Sequence, residues 1–377
     1  MFGTRATLFE LYGFKIRVDL TWIFLSPLVI WSLAQGYFPS YYLGLADATY
    51  WWMGAFGTLG LFGSIVFHEL AHSLVARRYG LRIKSITLFI FGGVAQMDEE
   101  PPSPKVEWLI AIAGPISSFA LSAACYLAFA VGYRIHLPIV PLGVIGYLAF
   151  INSLLGGFNL IPAFPLDGGR VLRAALWHWK QDLPRATRWA SRIGSLFGLA
   201  LILSGIFHMI TGSFIVGVWW FILGLFLRAA AGTSYYQVIA RTKLGGKPIR
   251  LFMTPNPATV SSDLPLDVLV EEHFYRSLHE MYPVTEDARL IGCVHSKQVA
   301  GIPRDRWTEL TVRDILTPCS VENTVAVDAD ALSALSIMNR TGATRLLVLD
   351  GDRLAGVVTL KDLLKLLSLK LDLEGVT

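Results

Sequence analysis

Between Ala48 and Phe67 the chain carries no charged side chain, and comparable charge-free stretches run from Leu20 to Ala46, Trp108 to Tyr133, Leu137 to Leu166 and Ile193 to Leu227. Such stretches have few ways to fold. In lipid the backbone must satisfy its own hydrogen bonds, and an apolar segment of about 20 residues does so as a helix. The composition agrees, since 54% hydrophobic and 16% charged residues lie well outside the balance of a soluble domain. The last run is too long for one span and is interrupted at His208 and Thr211-Gly212-Ser213, so it reads as a helical hairpin whose first arm starts near Ala186. The first run exceeds the apolar core of a cleaved signal peptide and reads as a span. The second span runs from about Trp52 to Tyr79, and about six transmembrane helices are expected in all.

Charges return at ordinary density after Arg241. The expected division is a membrane part over 1–232, a linker over 233–247 containing Lys243-Leu244-Gly245-Gly246-Lys247, and a soluble part beyond. Lys and Arg concentrate at the N-terminus, between Arg77 and Lys105, between Arg170 and Arg192 and after Arg228, whereas the opposite loops hold only Arg134. The positive-inside bias then places both termini and the soluble part in the cytoplasm, on a multi-pass protein of the cell membrane. A net charge of +4 spread over span ends excludes nucleic acid as a partner. Cys125, Cys293 and Cys319 have no paired or Cys-x-x-Cys spacing, so neither a disulfide framework nor a thiolate metal site is expected. Leu81 to Met97 is too short and glycine-broken to span. Ile83, Ile86, Leu88, Ile90 and Val94 around Gly92-Gly93 predict a short membrane-associated β-hairpin, serving either as an edge for an extended peptide or as a plug.

Within the second span, His68-Glu69-Leu70-Ala71-His72 brings three ionisable side chains into an apolar setting. Ionisable groups at membrane depth point to function, and a divalent metal satisfies two imidazoles there. On a helix, positions i and i+4 share a face, so His68 and His72 can bind one ion while Glu69 stands beside it as general base. His68 lies nine residues before Arg77, about 13 Å along a helix axis, so the site sits below the surface on the arginine side.

A catalytic zinc site normally takes three protein ligands. Asp167 is the candidate third, the only acidic residue between Glu107 and Asp182. Pro162 and Pro165 break the helix before it, which should free Asp167 to turn into the bundle rather than follow a helical face. Asn159 could hydrogen-bond a substrate backbone or oxyanion, or it could cap the broken helix. Asn152 is expected in an interhelical hydrogen bond, and Gly114 with Ser118 in close helix packing.

Beyond the linker the sequence repeats. Met253-Thr254-Pro255 recurs as Leu316-Thr317-Pro318, and Gly292-Cys293-Val294 as Gly356-Val357-Val358. Each unit is too small to bury a good core alone, so the halves should pack together.

Taken together, the His-Glu-x-x-His segment and Asn159-Leu160-Ile161-Pro162-Ala163-Phe164-Pro165-Leu166-Asp167-Gly168 resemble the motifs of the site-2 protease family of intramembrane zinc metalloproteases. Gly114 with Ser118 is similar to the small-residue motif on that family's third span. The tail resembles a pair of CBS (cystathionine-β-synthase) domains, over 248–310 and 311–377. The resemblance implies a polytopic α-helical membrane protein plus a C-terminal α/β CBS pair. It also implies one Zn2+ on His68, His72 and Asp167, Glu69 as general base, and membrane-anchored substrates of the anti-sigma-factor or sigma-precursor type. In CBS domains the Thr and Asp of Gly-x-x-Thr-x-x-Asp contact an adenine nucleotide, which maps ATP or AMP onto Thr359 and Asp362. The first repeat departs from this pattern, with His295 and Gln298 at those positions. A second copy of the chain, joined through the CBS pair, is a further expected partner. The competing reading is a membrane transporter or channel with a CBS tail.

Overall fold

The computed structural model describes residues 5–89, 92–97, 100–277, 279–287 and 289–365. It divides into two compact units, Met1–Tyr236 and Gln237–Thr377.

The first unit opens with strands β1 (Arg5–Leu11) and β2 (Phe14–Asp19), joined at Tyr12 and Gly13, whose φ values of 51° and 83° suit a type I′ hairpin turn. Helical structure then runs from Thr21 to Tyr41 as α1 (Thr21–Ser32), a π-turn (Leu33–Tyr37) and α2 (Phe38–Tyr41). Next comes α3 (Asp47–Arg78), closed by Gly80 at φ 81° with the Leu81 N–H returning to the Ala76 carbonyl. Strands β3 (Ile83–Phe89) and β4 (Gly92–Met97) follow. They are not an isolated hairpin, because β3 pairs in parallel with β2 in a sheet of order β1-β2-β3-β4 with β4 at one edge. Phe14, Ile16, Ile86 and Leu88 bury one face of this sheet against Trp22, Val66 and Leu70, which fixes it beside the His-Glu segment of α3.

The rest of the unit is helical: α4 (Pro104–Arg134), α5 (Ile139–Asn159), α6 (Asp167–Lys180), α7 (Leu183–Ile210) and α8 (Phe214–Leu244). Five helices among the described residues are long and apolar enough to cross a membrane: α3, α4, α5, α7 and residues 216–242 of α8. The first expected span is helical but changes register at the π-turn.

Between α5 and α7, where a cationic connection is expected, lies the amphipathic α6. Its buried Arg173 donates from Nε to Glu107 Oε1 at 2.6 Å and from Nη2 to Glu100 Oε2 at 3.3 Å. Glu107 is fully buried, and breaking a buried ion pair by removing one partner costs about 3–5 kcal/mol. Arg173→Met should accordingly lower the thermal unfolding temperature in detergent sharply. Adding Glu107→Leu should recover most of the loss, and a single variant as stable as wild type would contradict this account.

In the second unit, β5 (Thr254–Pro255) begins the first repeat, followed by β6 (Val260–Ser261), α9 (Leu266–Val268), α10 (Tyr275–Ser277), β7 (Met281–Glu286), β8 (Arg289–His295) and α11 (Ser296–Ala300). The second repeat matches it with β9 (Thr317–Pro318), β10 (Thr324–Ala326), α12 (Ala331–Thr341), β11 (Arg345–Asp350) and β12 (Arg353–Thr359). The sheet orders are β10-β11-β12-β5 and β6-β7-β8-β9, so each repeat lends its opening strand to the other's sheet. Gly356 and Gly292 make the exchange possible, since a methyl at either would strike the Thr254 or Thr317 carbonyl. Residues 233–247 are helical as far as Leu244, where a linker is expected, because Val238, Ile239 and Leu244 are buried. No cysteine is paired, and burial, reinforced by nearby Cys319, pushes the Cys293 thiol up to about 11.

Candidate metal centre

His68 and His72 lie one turn apart on α3, 3% and 5% exposed, and face α4. His72 Nδ1 lies 2.6 Å from the Ile110 carbonyl, which accepts only if that nitrogen carries the proton, so Nε2 keeps its lone pair. His68 Nδ1 lies 2.8 Å from the hydroxyl of Ser118, which can donate or accept and so orients the ring with either tautomer. Both Nε2 atoms converge, 3.2 Å apart, on Asp167 Oδ2, at 3.0 Å from His68 and 3.1 Å from His72.

The path that brings Asp167 here differs from expectation. After α5 ends at Asn159, a turn closes with the Ala163 N–H on the Ile161 carbonyl at 2.7 Å and the Leu166 N–H on the Ala163 carbonyl at 2.9 Å. Asp167 is then the first residue of α6, so it does lie on a helix. A carboxylate in a first turn is favoured by the helix dipole. Gly168 and Gly169 allow the helix to begin so close to the turn, because methyls there would collide with the backbone of Leu160 and Ile161 and of Ala163 and Phe164.

With both Nε2 lone pairs free, the two nitrogens and the carboxylate oxygen are three acceptors facing one another at these distances, an arrangement that a cation among them stabilises. Two imidazoles and one carboxylate suit zinc. They are the only such cluster among the described residues, with candidate ligand atoms all within 4.8 Å of one another. Space for the ion depends on Gly114, where a methyl would land on His72 Nε2 and within 2.6 Å of His68 Nε2. Glu69 lies beside the edge strand β4: a methyl at Gly93 would come within 2.9 Å of its Oε1.

Gly114 and Ser118, expected in close helix packing, also leave room for and orient the histidines. Their i,i+4 spacing, the same as that of His68 and His72, was the available signal. Asn159 instead donates to the Leu155 carbonyl of its own helix at 3.0 Å, apart from the three converging atoms. Asn152 bridges helices as expected, donating to Ser64 Oγ at 2.9 Å.

In the second unit, Thr359 Oγ1 donates to Asp362 Oδ2 at 2.6 Å and accepts from the Asp362 N–H at 3.1 Å, a reciprocal cap. The corresponding His295 N–H donates to Gln298 Oε1 at 2.7 Å.

A buried two-histidine, one-carboxylate site with a glutamate beside it, held in a bundle of apolar helices, defines a membrane-embedded metalloprotease. Residues 56–140 and 137–204 match Peptidase family M50, and 249–303 and 312–369 match the CBS domain. Rip3 of Mycobacterium tuberculosis is 34% identical over 358 residues, covering 94% of this chain and 91% of its own. The zinc metalloprotease MJ0392 of Methanocaldococcus jannaschii is 32% identical, covering 96% of each chain. A solved site-2 protease from the latter organism aligns at 33% identity and TM-score 0.44, over 62% of this chain and 95% of that one. The chain belongs to peptidase family M50, the site-2 proteases, and is a zinc metalloprotease with a CBS pair. The transporter reading is thereby set aside.

Proposed function

We propose that this protein is an intramembrane endopeptidase that cuts a membrane-anchored protein within or near its transmembrane segment. The convergence of His68 Nε2, His72 Nε2 and Asp167 Oδ2 inside the helical bundle carries the reading. These three atoms would hold the zinc. Structural zinc sites close with four protein ligands, and only three donors converge among the described residues, as a catalytic site requires. Bound there, zinc supplies Lewis-acid charge that activates water and stabilises the developing oxyanion.

The chain's own groups do the rest. Glu69 takes the proton of the attacking water and returns it to the leaving amine. The Ile110 carbonyl holds His72 in the tautomer that faces the site, and Ser118 anchors the His68 ring in place. A peptide bond in an intact helix is shielded, so the substrate must unwind locally. β4 offers an unwound segment an edge to pair with directly beside Glu69. Asn159 becomes a substrate or oxyanion donor if its amide leaves the Leu155 carbonyl as the peptide enters.

The substrate is of the anti-sigma-factor or sigma-precursor type, cut from the cytoplasmic side where both termini and the CBS pair lie. Membrane proteomes of cells carrying wild type or Glu69→Gln test this. A single-span regulator should accumulate uncut with the variant, and identical proteomes would refute the reading.

The CBS pair, over 248–310 and 311–377, binds ATP or AMP through Thr359 and Asp362, and it also joins two copies of the chain. Support for nucleotide binding comes from those two side chains standing together at a helix start. Isothermal titration of the full chain should show millimolar or tighter binding that Thr359→Val removes. If neither nucleotide binds, the tail is a docking module.

A further inference from the structure

A cavity of about 530 Å³ opens where α3 leaves its apolar span, and among the residues lining it are Gly13, Phe14, Arg77, Gly80, Leu81 and Arg82. Among the described residues, two arginines and no acid line it. Arg77 is held in place, its Nη1 donating to the Tyr12 carbonyl at 2.6 Å while its guanidinium lies 4.8 Å from the centre of the Phe14 ring. Arg82 is exposed and makes no ion pair among the described residues. Guanidinium groups are charged at every working pH and present a planar fork that matches phosphate oxygens. Turned into one cavity without a carboxylate, they call for an anion.

The surroundings indicate what carries that anion. Arg77 and Arg78 are the last residues of a helix long and apolar enough to cross a membrane, so the cavity lies at headgroup level. The adjoining β1–β2 hairpin exposes Leu8 at 53%, Phe9 at 43% and Tyr12 at 67%. A soluble anion would leave this apolar patch in water, whereas an amphiphile covers it while its phosphate reaches the arginines.

We propose that the cavity binds the phosphate of an anionic membrane phospholipid, with Arg77 and Arg82 as the phosphate ligands and the exposed hairpin side chains against its acyl region. The lipid would also brace the sheet whose far edge, β4, lies beside Glu69.

The test uses the full chain in vesicles of phosphatidylcholine with and without phosphatidylglycerol, followed by mass spectrometry of retained lipid. Wild type should retain phosphatidylglycerol preferentially, and Arg82→Gln should cut that preference about fivefold. Arg82→Lys, which keeps the charge but loses the planar fork, should restore only part of it. Arg78→Gln removes the same charge one position from Arg77 but outside the cavity, and it should leave the preference intact. Zinc content and cleavage of a reporter in phosphatidylcholine should be unchanged in all three variants. Equal losses in Arg78→Gln and Arg82→Gln would mean general surface attraction and overturn the site. So would wild type without a preference, or displacement of the lipid by inorganic phosphate.

Discussion

Glu69→Gln is expected to slow cleavage of a membrane-anchored reporter by about 10²–10⁴-fold, the usual contribution of a general base, while zinc stays bound. The substitution keeps the shape of the side chain and its place beside Gly93 but removes its ability to take a proton. It leaves His68, His72 and Asp167 with their partners on α4 and α6. Cleavage in reconstituted vesicles and zinc by elemental mass spectrometry, measured on one preparation, separate the two effects. Cleavage within tenfold of wild type would remove Glu69 from the mechanism, and lost zinc would recast it as a positioning group.

Gly114→Ala should be nearly as damaging by the opposite route, and it is the prediction least expected from the chemistry of the residue itself. One methyl would occupy the space at both Nε2 atoms. Neither ring can retreat, because each is tied to α4 through Nδ1. Zinc content should fall toward zero, and cleavage with it. Ser118→Ala gives the graded counterpart, since it frees one ring without filling the site and should weaken zinc binding about 10–100-fold. A Gly114→Ala protein that binds zinc normally would mean that α3 and α4 separate more readily than the packed structure implies.

The membrane helices were legible because lipid demands long uninterrupted apolar runs, and a single acidic residue after such a run singled out Asp167. The N-terminal hairpin was not. Lys15 and Arg17 alternate with the buried Phe14 and Ile16, and six residues of alternation read as charges flanking a span. α6 was hidden for a related reason, because cationic residues following two prolines resemble a loop until the buried stripe of Asp167, Arg173 and Ala174 is seen. The Ile110 carbonyl could not have been found at all, since every residue carries one. Only three-dimensional placement distinguishes it.

The exchange of opening strands in the tail bears on how that tail can change over generations. Because β5 completes the second sheet and β9 the first, deleting one repeat would strip a strand from the survivor and leave an unpaired edge, a risk for aggregation. The two repeats therefore depend on each other for a complete sheet. Whatever side chains a repeat carries at its helix start, it still supplies the strand it lends. The first repeat has His295 and Gln298 where the second has Thr359 and Asp362, and each pair is joined by a hydrogen bond at the start of a helix.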